Sequence, residues 1–158
     1  MRFVSTTKTV SAMAMIVLLA GLAAGQSKHC TAAGGMLMTN LGAVDPATTM
    51  GTAMGDLRGA VGATILSTEG SGNTLILHVQ HHWVTESGDT LDFSVATLTS
   101  TQVAPGLYAV VTYPTHLKGG TGKFAGATGD FNSIGEADLV NGRIVVRYFG
   151  RICFANGD

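Results

Sequence analysis

The chain contains few prolines (3), few charged residues (12%) and few aromatic residues (6%). Its basic residues do not gather into a patch, and there is little aromatic surface on which bases could stack. Basic patches bind the phosphate backbone, and aromatic side chains stack on unpaired bases. The composition therefore predicts a protein with no nucleic-acid partner.

A long apolar run is also missing. The longest one, residues 12–24, is shorter than the ~20 residues that a membrane-spanning helix needs, and no stop-transfer charge flanks it. Arg2 and Lys8 precede this run, which is the layout of a secretory signal peptide. We therefore predict an extracytoplasmic protein, periplasmic or secreted, with no stable membrane insertion after cleavage.

Small residues define the predicted cleavage site. Ala23 and Gly25 suit the −3 and −1 positions of a signal peptidase site, so residues 1–25 form the signal peptide and Gln26 begins the mature chain. No Leu-rich lipobox precedes Cys30, which disfavours a lipid anchor on that cysteine. The remaining residues 26–158 are enough for a single domain. Without Arg2 and Lys8, the basic residues fall from 9 to 7 against 10 acidic residues, a formal charge of −3.

Only two cysteines are present, Cys30 near the mature start and Cys153 near the end. They lack the paired spacing of zinc ligands, and neither is placed like a nucleophile. Because disulfides persist outside the cytoplasm, we predict a bond between them, which also makes the terminal strands neighbours. The alternative is two unpaired buried thiols.

Glycine is abundant instead, with 22 residues, and no segment after residue 25 shows a helical period. Turn signals recur at short intervals, at residues 69–73, 86–89, 104–106, 118–122 and 141–142. Short strands with such spacing are typical of an all-β sandwich or barrel. We predict a small antiparallel β-barrel of about eight strands, with a β-sandwich as the alternative.

The last hairpin has the clearest turn signal. Asn141-Gly142 suits a type I′ turn, which would place Val140 opposite Arg143 and Glu136 opposite Arg147. The alternation that follows predicts a core face and a solvated face carrying the arginines. The core face comprises Ile144, Val146, Tyr148 and Ile152, and the solvated face comprises Arg143, Val145, Arg147, Phe149 and Arg151.

A second predicted hairpin joins residues 74–84 to 90–98 through Ser87-Gly88, with Trp83 opposite Asp92, His81 opposite Ser94 and His82 opposite Phe93. Alternation puts Leu75, Leu77, Val79, His81 and Trp83 on one face and Ile76, His78, Gln80, His82 and Val84 on the other. Both faces are mixed in character, so the pattern alone does not decide which one points inward.

The segment His116 to Gly129 contains Gly119-Gly120-Thr121-Gly122-Lys123-Phe124. A phosphate loop would need glycine in place of Leu117 and Ser or Thr in place of Phe124, and the dinucleotide-binding spacing is missing as well. The glycines are better explained by positive φ angles or a bulge, with Phe124 as a core residue.

Residues 119–129, GGTGKFAGATG, resemble the G-G-T-G-x-F-x-x-A-x-G signature of the allene oxide cyclase and dirigent barrel superfamily. In that family the motif links late strands of an eight-stranded antiparallel barrel. The plant members are cyclases or stereochemical guides that act on an apolar substrate held in the barrel. Their pocket residues lie outside the matching segment, so the resemblance assigns no site residue here.

Three histidines, His78, His81 and His82, form the main polar cluster. His81 and His82 project to opposite faces of a strand, so at most His78 and His82 share a side, which disfavours a metal site. Glu86, Asp89 and Asp92 are interpreted as a solvated turn. His81 with Asp92 is the one candidate acid and base pair.

Three functions are compatible with this sequence. The preferred hypothesis is an exported barrel that binds a small apolar ligand in its lumen, without a cofactor. The alternatives are a cofactor-free cyclase or isomerase and a structural or interaction protein with a filled barrel. Fold analogy alone does not rank them, and the oligomeric state is not indicated.

Overall fold

The computed structural model describes residues 29–155, and the predicted signal peptide and its cleavage site before Gln26 lie outside them. The described chain forms ten β-strands and one 3₁₀ turn at Gly122–Phe124. The strands are β1 (His29–Leu41), β2 (Thr48–Gly55), β3 (Gly59–Ser71), β4 (Thr74–Thr85), β5 (Thr90–Phe93), β6 (Ala96–Ala104), β7 (Leu107–Thr112), β8 (Thr115–Gly120), β9 (Thr128–Asp138) and β10 (Arg143–Phe154). No helix in this part of the chain is long and apolar enough to cross a membrane.

The strands close into an antiparallel barrel of eight strands, as predicted, and not into a sandwich. Eight positions accommodate ten segments because β5 and β6 both pair with β4, while β7 and β8 both pair with β9. β5 and β6 therefore form one barrel strand, and β7 and β8 form another, and each of these two barrel strands is interrupted once. The barrel is sealed where β1 pairs with β10.

Cys30 and Cys153 lie opposite each other across this seam and form a disulfide. The predicted pairing is therefore confirmed, together with the inference that the terminal strands are neighbours. A disulfide fits an oxidising, extracytoplasmic compartment.

Alternation along β10 matches the prediction. Val146, Tyr148 and Ile152 are buried in the core, whereas Arg143, Arg147 and Arg151 are exposed. In β4 the structure decides what the pattern left open: Val79, His81 and Trp83 are buried and point into the barrel. Both strands obey the period of two that places alternate side chains on opposite faces of a sheet.

The predicted register of the β9–β10 hairpin is wrong by two residues. Arg143 lies opposite Asp138, not Val140, and Glu136 lies opposite Val145, not Arg147. The Asp138 carboxylate accepts hydrogen bonds from the backbone N–H of Val140 and of Asn141, at 3.1 and 3.0 Å, which stabilises a four-residue loop. A shift of two residues preserves the side-chain alternation. The predicted assignment of the β10 side chains to a core face and a solvated face therefore remains correct.

The predicted β4–β5 register is wrong by one residue. Trp83 lies opposite Leu91, not Asp92, although Val79 lies opposite Ala96 as the predicted register requires. The extra residue is absorbed where the barrel strand is interrupted between Phe93 and Ala96. A shift of one reverses the faces, so Asp92 points outward.

The two ends of the barrel differ. At one end, here called the closed end, Leu57 of the β2–β3 connection and Phe124 of the β8–β9 connection are both buried. The indole Nε1 of Trp83 donates to the Leu57 carbonyl at 2.8 Å, and the Leu57 N–H donates to the Tyr148 hydroxyl at 3.0 Å. These bonds fix the β2–β3 connection against the core.

Candidate ligand site in the barrel lumen

The structure separates the predicted acid and base pair. His81 is buried inside the barrel, and Asp92 lies on the outer face with its carboxylate 3.7 Å from Lys118 Nζ. The two side chains form no pair, because the one-residue register shift moved Asp92 to the opposite face of the sheet.

The other predicted polar groups also lie outside the barrel. His78 Nδ1 is 3.2 Å from Thr97 Oγ1, and His82 Nε2 is 3.1 Å from Thr64 Oγ1. Glu86 pairs with Arg58 at 3.5 Å on the surface. Within residues 29–155, no group of three or more His, Cys, Asp or Glu side chains is placed to hold a metal ion.

A cavity of about 60 Å³ occupies the half of the lumen away from the closed end. Its deeper wall is aliphatic and buried, formed by Leu37, Val61, Val79, Leu98 and Val146. Toward the end that carries the β1–β2 and β9–β10 connections, here called the open end, the lining side chains become half-buried. This outer wall includes Thr39, Ile65, Leu77 and Ile144.

The other half of the lumen is filled by aromatic side chains. Only about 10 Å³ of space remains there, against Leu57, Trp83, Phe93, Phe131 and Tyr148. The Trp83 ring lies 5.8 Å from Phe93 and 5.6 Å from Tyr148, between centroids, in tilted and edge-on arrangements that aromatic pairs favour. The barrel is therefore packed at the closed end and hollow toward the open end.

His81 lies at the boundary between these halves and lines both spaces. Its Nε2 is 2.7 Å from the hydroxyl of Tyr113, a residue only 6% exposed. Its Nδ1 is buried and has no hydrogen-bond partner among residues 29–155. Since most buried polar atoms in native proteins are paired, this unpaired atom, on a residue that lines the cavity, is a candidate partner for a polar group of a ligand.

Burial controls the protonation of both residues. Loss of solvation lowers the pKa of His81 to about 4, with a further contribution from the neighbouring charge of His82. Burial also raises the pKa of the Tyr113 hydroxyl far above its usual value. At neutral pH the lumen therefore holds a neutral imidazole and a neutral phenol.

Sequence reasoning missed Tyr113. This residue lies at the interruption between β7 and β8, immediately before Pro114, and its N–H donates to Asn132 Oδ1 at 3.0 Å. Proline inside a strand pattern marks an interruption, and interruptions redirect side chains. Pro114 was thus the available signal, although it does not reveal the partner of Tyr113.

Acidification is expected to test the burial of His81. Its pKa is about 4 in the folded protein, below the ordinary histidine value of 6.5, so the unfolded chain binds the proton first as the pH falls. Stability is then lost between about pH 6.5 and pH 4, and the pKa difference corresponds to about 3 kcal/mol. Urea denaturation across this range measures the loss.

The matched comparison for this prediction is the double variant His81→Phe/Tyr113→Phe. It replaces both partners by apolar rings of similar shape and leaves neither one unpaired. His78→Phe changes a histidine on the outer face and serves as the control. If the double variant and the wild type lose equal stability over this pH range, the prediction for His81 is wrong.

Comparison with known proteins identified no relative of this chain. No family model, curated protein or solved structure gives a significant match to this chain. The segment that resembles the allene oxide cyclase and dirigent superfamily runs from the end of β8 to the start of β9. The family assignment stays a prediction.

Proposed function

We propose that this protein is exported and binds a small apolar ligand, without covalent attachment, in the open half of its barrel. The observation that carries the proposal is the aliphatic cavity of about 60 Å³, which is bounded by packed aromatic rings on one side and by half-buried residues on the other. Small barrels can enclose one small ligand, and apolar cavities favour apolar guests. The N-terminal signal pattern and the disulfide support export.

The cavity volume limits the ligand. An engineered apolar cavity of ~150 Å³ binds benzene, and typical pockets for drug-sized ligands measure ~300–1,000 Å³. A space of about 60 Å³ accommodates only the end of a molecule. We therefore expect a slender ligand whose apolar end enters the lumen while the rest passes between the half-buried residues at the open end.

Ligand binding is expected to raise the melting temperature of the mature, oxidised protein. A panel of unbranched ketones and alkenes with four to ten carbons provides the probes. A ligand present at ten times its Kd stabilises the folded state by ~1.4 kcal/mol, which corresponds to roughly 4–6 °C for a domain of this size.

Ala63→Leu and Ala60→Leu form the matched pair for this experiment. Ala63 is half-buried and lines the cavity, whereas Ala60 is exposed on the outer face of the same strand. The added side chain should block binding only at position 63. A panel without any stabilising member, or equal thermal shifts in the two variants, would contradict the proposal.

The cyclase or isomerase alternative has less support from the site. General acid–base catalysis works best with a group whose pKa lies near the operating pH. The pKa of His81, about 4, makes its imidazole a weak base at neutral pH. The same neutral imidazole is well suited to hydrogen bonding, which favours binding over proton transfer.

One observation favours an interaction protein as the second candidate. Four methionines, each between 41% and 48% exposed, lie on the outer face of β1 and β2: Met36, Met38, Met50 and Met54. Met36 and Met54 are direct cross-strand partners. Clustered exposed apolar side chains are typical of contact surfaces, and methionine adapts to varied partners. This candidate would gain support if no ligand enters the lumen.

A further inference from the structure

We infer that the lumen binds ligands that carry a hydrogen-bond acceptor oxygen, such as a ketone or an ether, at their buried end, through the Nδ1–H of His81. The inference rests on the proposed ligand-binding function and specifies the chemistry of the ligand. It comes from the hydrogen bonds of two buried residues, His81 and Tyr113.

The contact between these residues determines the imidazole tautomer. If His81 carried its proton on Nε2 and donated to Tyr113, the tyrosine hydroxyl proton would have no acceptor among residues 29–155, and the Nδ1 lone pair would be unpaired as well. If the hydroxyl donates to Nε2 instead, only Nδ1–H lacks a partner. Each unpaired buried polar group costs free energy, so the second arrangement is favoured.

Burial strengthens the argument. His81 is 7% exposed, and its ring lies 5.5 Å from Phe93 and 5.4 Å from Tyr113, between centroids. These ring contacts restrict the orientation of the imidazole. The pKa of His81, lowered by burial, keeps the imidazole neutral, so one nitrogen donates while the other accepts.

The remaining lining gives a ligand oxygen few other partners. The deep wall of the cavity is aliphatic, and the threonines lie toward the open end, where Thr49 Oγ1 already donates to the Ala63 carbonyl at 3.4 Å. A polar group at the inner end of the cavity therefore meets the imidazole of His81, the hydroxyl of Tyr113 that already contacts His81 Nε2, and otherwise hydrocarbon.

A hydrogen-bond donor at the inner end of an otherwise aliphatic cavity predicts selectivity among ligands. A ketone or ether oxygen accepts from Nδ1–H and has no donor of its own to satisfy. A carboxylate would bring a charge into an apolar site, at a large cost.

The test compares two ligands of nearly the same shape, 2-hexanone and 2-methyl-1-hexene, on two proteins. The alkene replaces the carbonyl oxygen by a methylene group. The proteins are the wild type and the double variant His81→Phe/Tyr113→Phe, with His78→Phe on the outer face as the control. For each ligand, thermal-shift titrations give the ratio of the Kd in the double variant to the Kd in the wild type. The ratio for 2-hexanone divided by the ratio for 2-methyl-1-hexene measures the coupling between the carbonyl and the imidazole.

The double variant should weaken 2-hexanone binding about 3- to 10-fold more than 2-methyl-1-hexene binding, which is the range of one neutral hydrogen bond. Nitrogen-15 NMR of the unliganded protein provides a separate measurement. The His81 signals should show a protonated Nδ1 and an unprotonated Nε2.

The outcomes separate this inference from the function on which it rests. If neither these two ligands nor any other member of the ketone and alkene panel binds the wild type, the proposed function is overturned, and the inference with it. If both bind and lose equal affinity in the double variant, ligand binding stands and the inference is overturned. An Nε2-protonated His81 overturns it as well.

Discussion

Loss of the Cys30–Cys153 disulfide is expected to lower the free energy of unfolding by about 4–5 kcal/mol. The bond joins residues separated by 123 positions, so in the unfolded chain it closes a loop that contains nearly all of residues 29–155. If the effect is one of chain entropy, the stabilisation grows with the logarithm of loop length. Urea denaturation of the oxidised and the dithiothreitol-reduced protein measures the difference.

The barrel itself should survive reduction under native conditions, because β1 and β10 remain paired over twelve residue pairs from His29↔Phe154 to Asn40↔Arg143. The variant Cys30→Ser/Cys153→Ser is the control and should be insensitive to dithiothreitol. Equal unfolding free energies for oxidised and reduced protein would contradict a stabilising role. Two alkylatable thiols in the native, non-reduced protein would contradict the bond itself.

Phe124→Ala is expected to cost about 3–5 kcal/mol of stability, as large-to-small substitutions of buried phenylalanine do. Phe124 is 1% exposed, and its ring packs against Phe154 with centroids 5.9 Å apart at the closed end. Phe149 is the matched control because it is 40% exposed on the outer face. Phe149→Ala should cost far less, and chemical denaturation of both variants measures the contrast.

Two neighbours of Phe124 refine this experiment. Lys123 is exposed, so Lys123→Ala should change stability little. Gly122 has a φ of +54°, and a Cβ added there would lie 1.8 Å from an Asp89 carboxylate oxygen, so Gly122→Val should be clearly destabilising. Equal losses for Phe124→Ala and Phe149→Ala would show that the closed end does not depend on this ring.

The candidate site shows where sequence reasoning was sufficient and where it failed. Alternation identified His81 and Trp83 as residues of one face, and the structure places both inside. The proposed partner of His81 was wrong, because a pairing argument across a hairpin depends on a register that one extra residue in the β5–β6 interruption alters. The observed partner, Tyr113, is 32 residues away along the chain.

Local chemistry in the sequence determined the fold class, the core face of β10, the turn positions and the cysteine pairing. These features depend on a period of two, on residues suited to turns, and on there being only two cysteines to pair. The tertiary structure alone decided between a closed barrel and a sandwich, the outward position of Asp92 and the contact between His81 and Tyr113. The reason is that closure, strand interruptions and the packing of the lumen arise from contacts between distant residues, and a shift of one residue reverses which side chains face the interior.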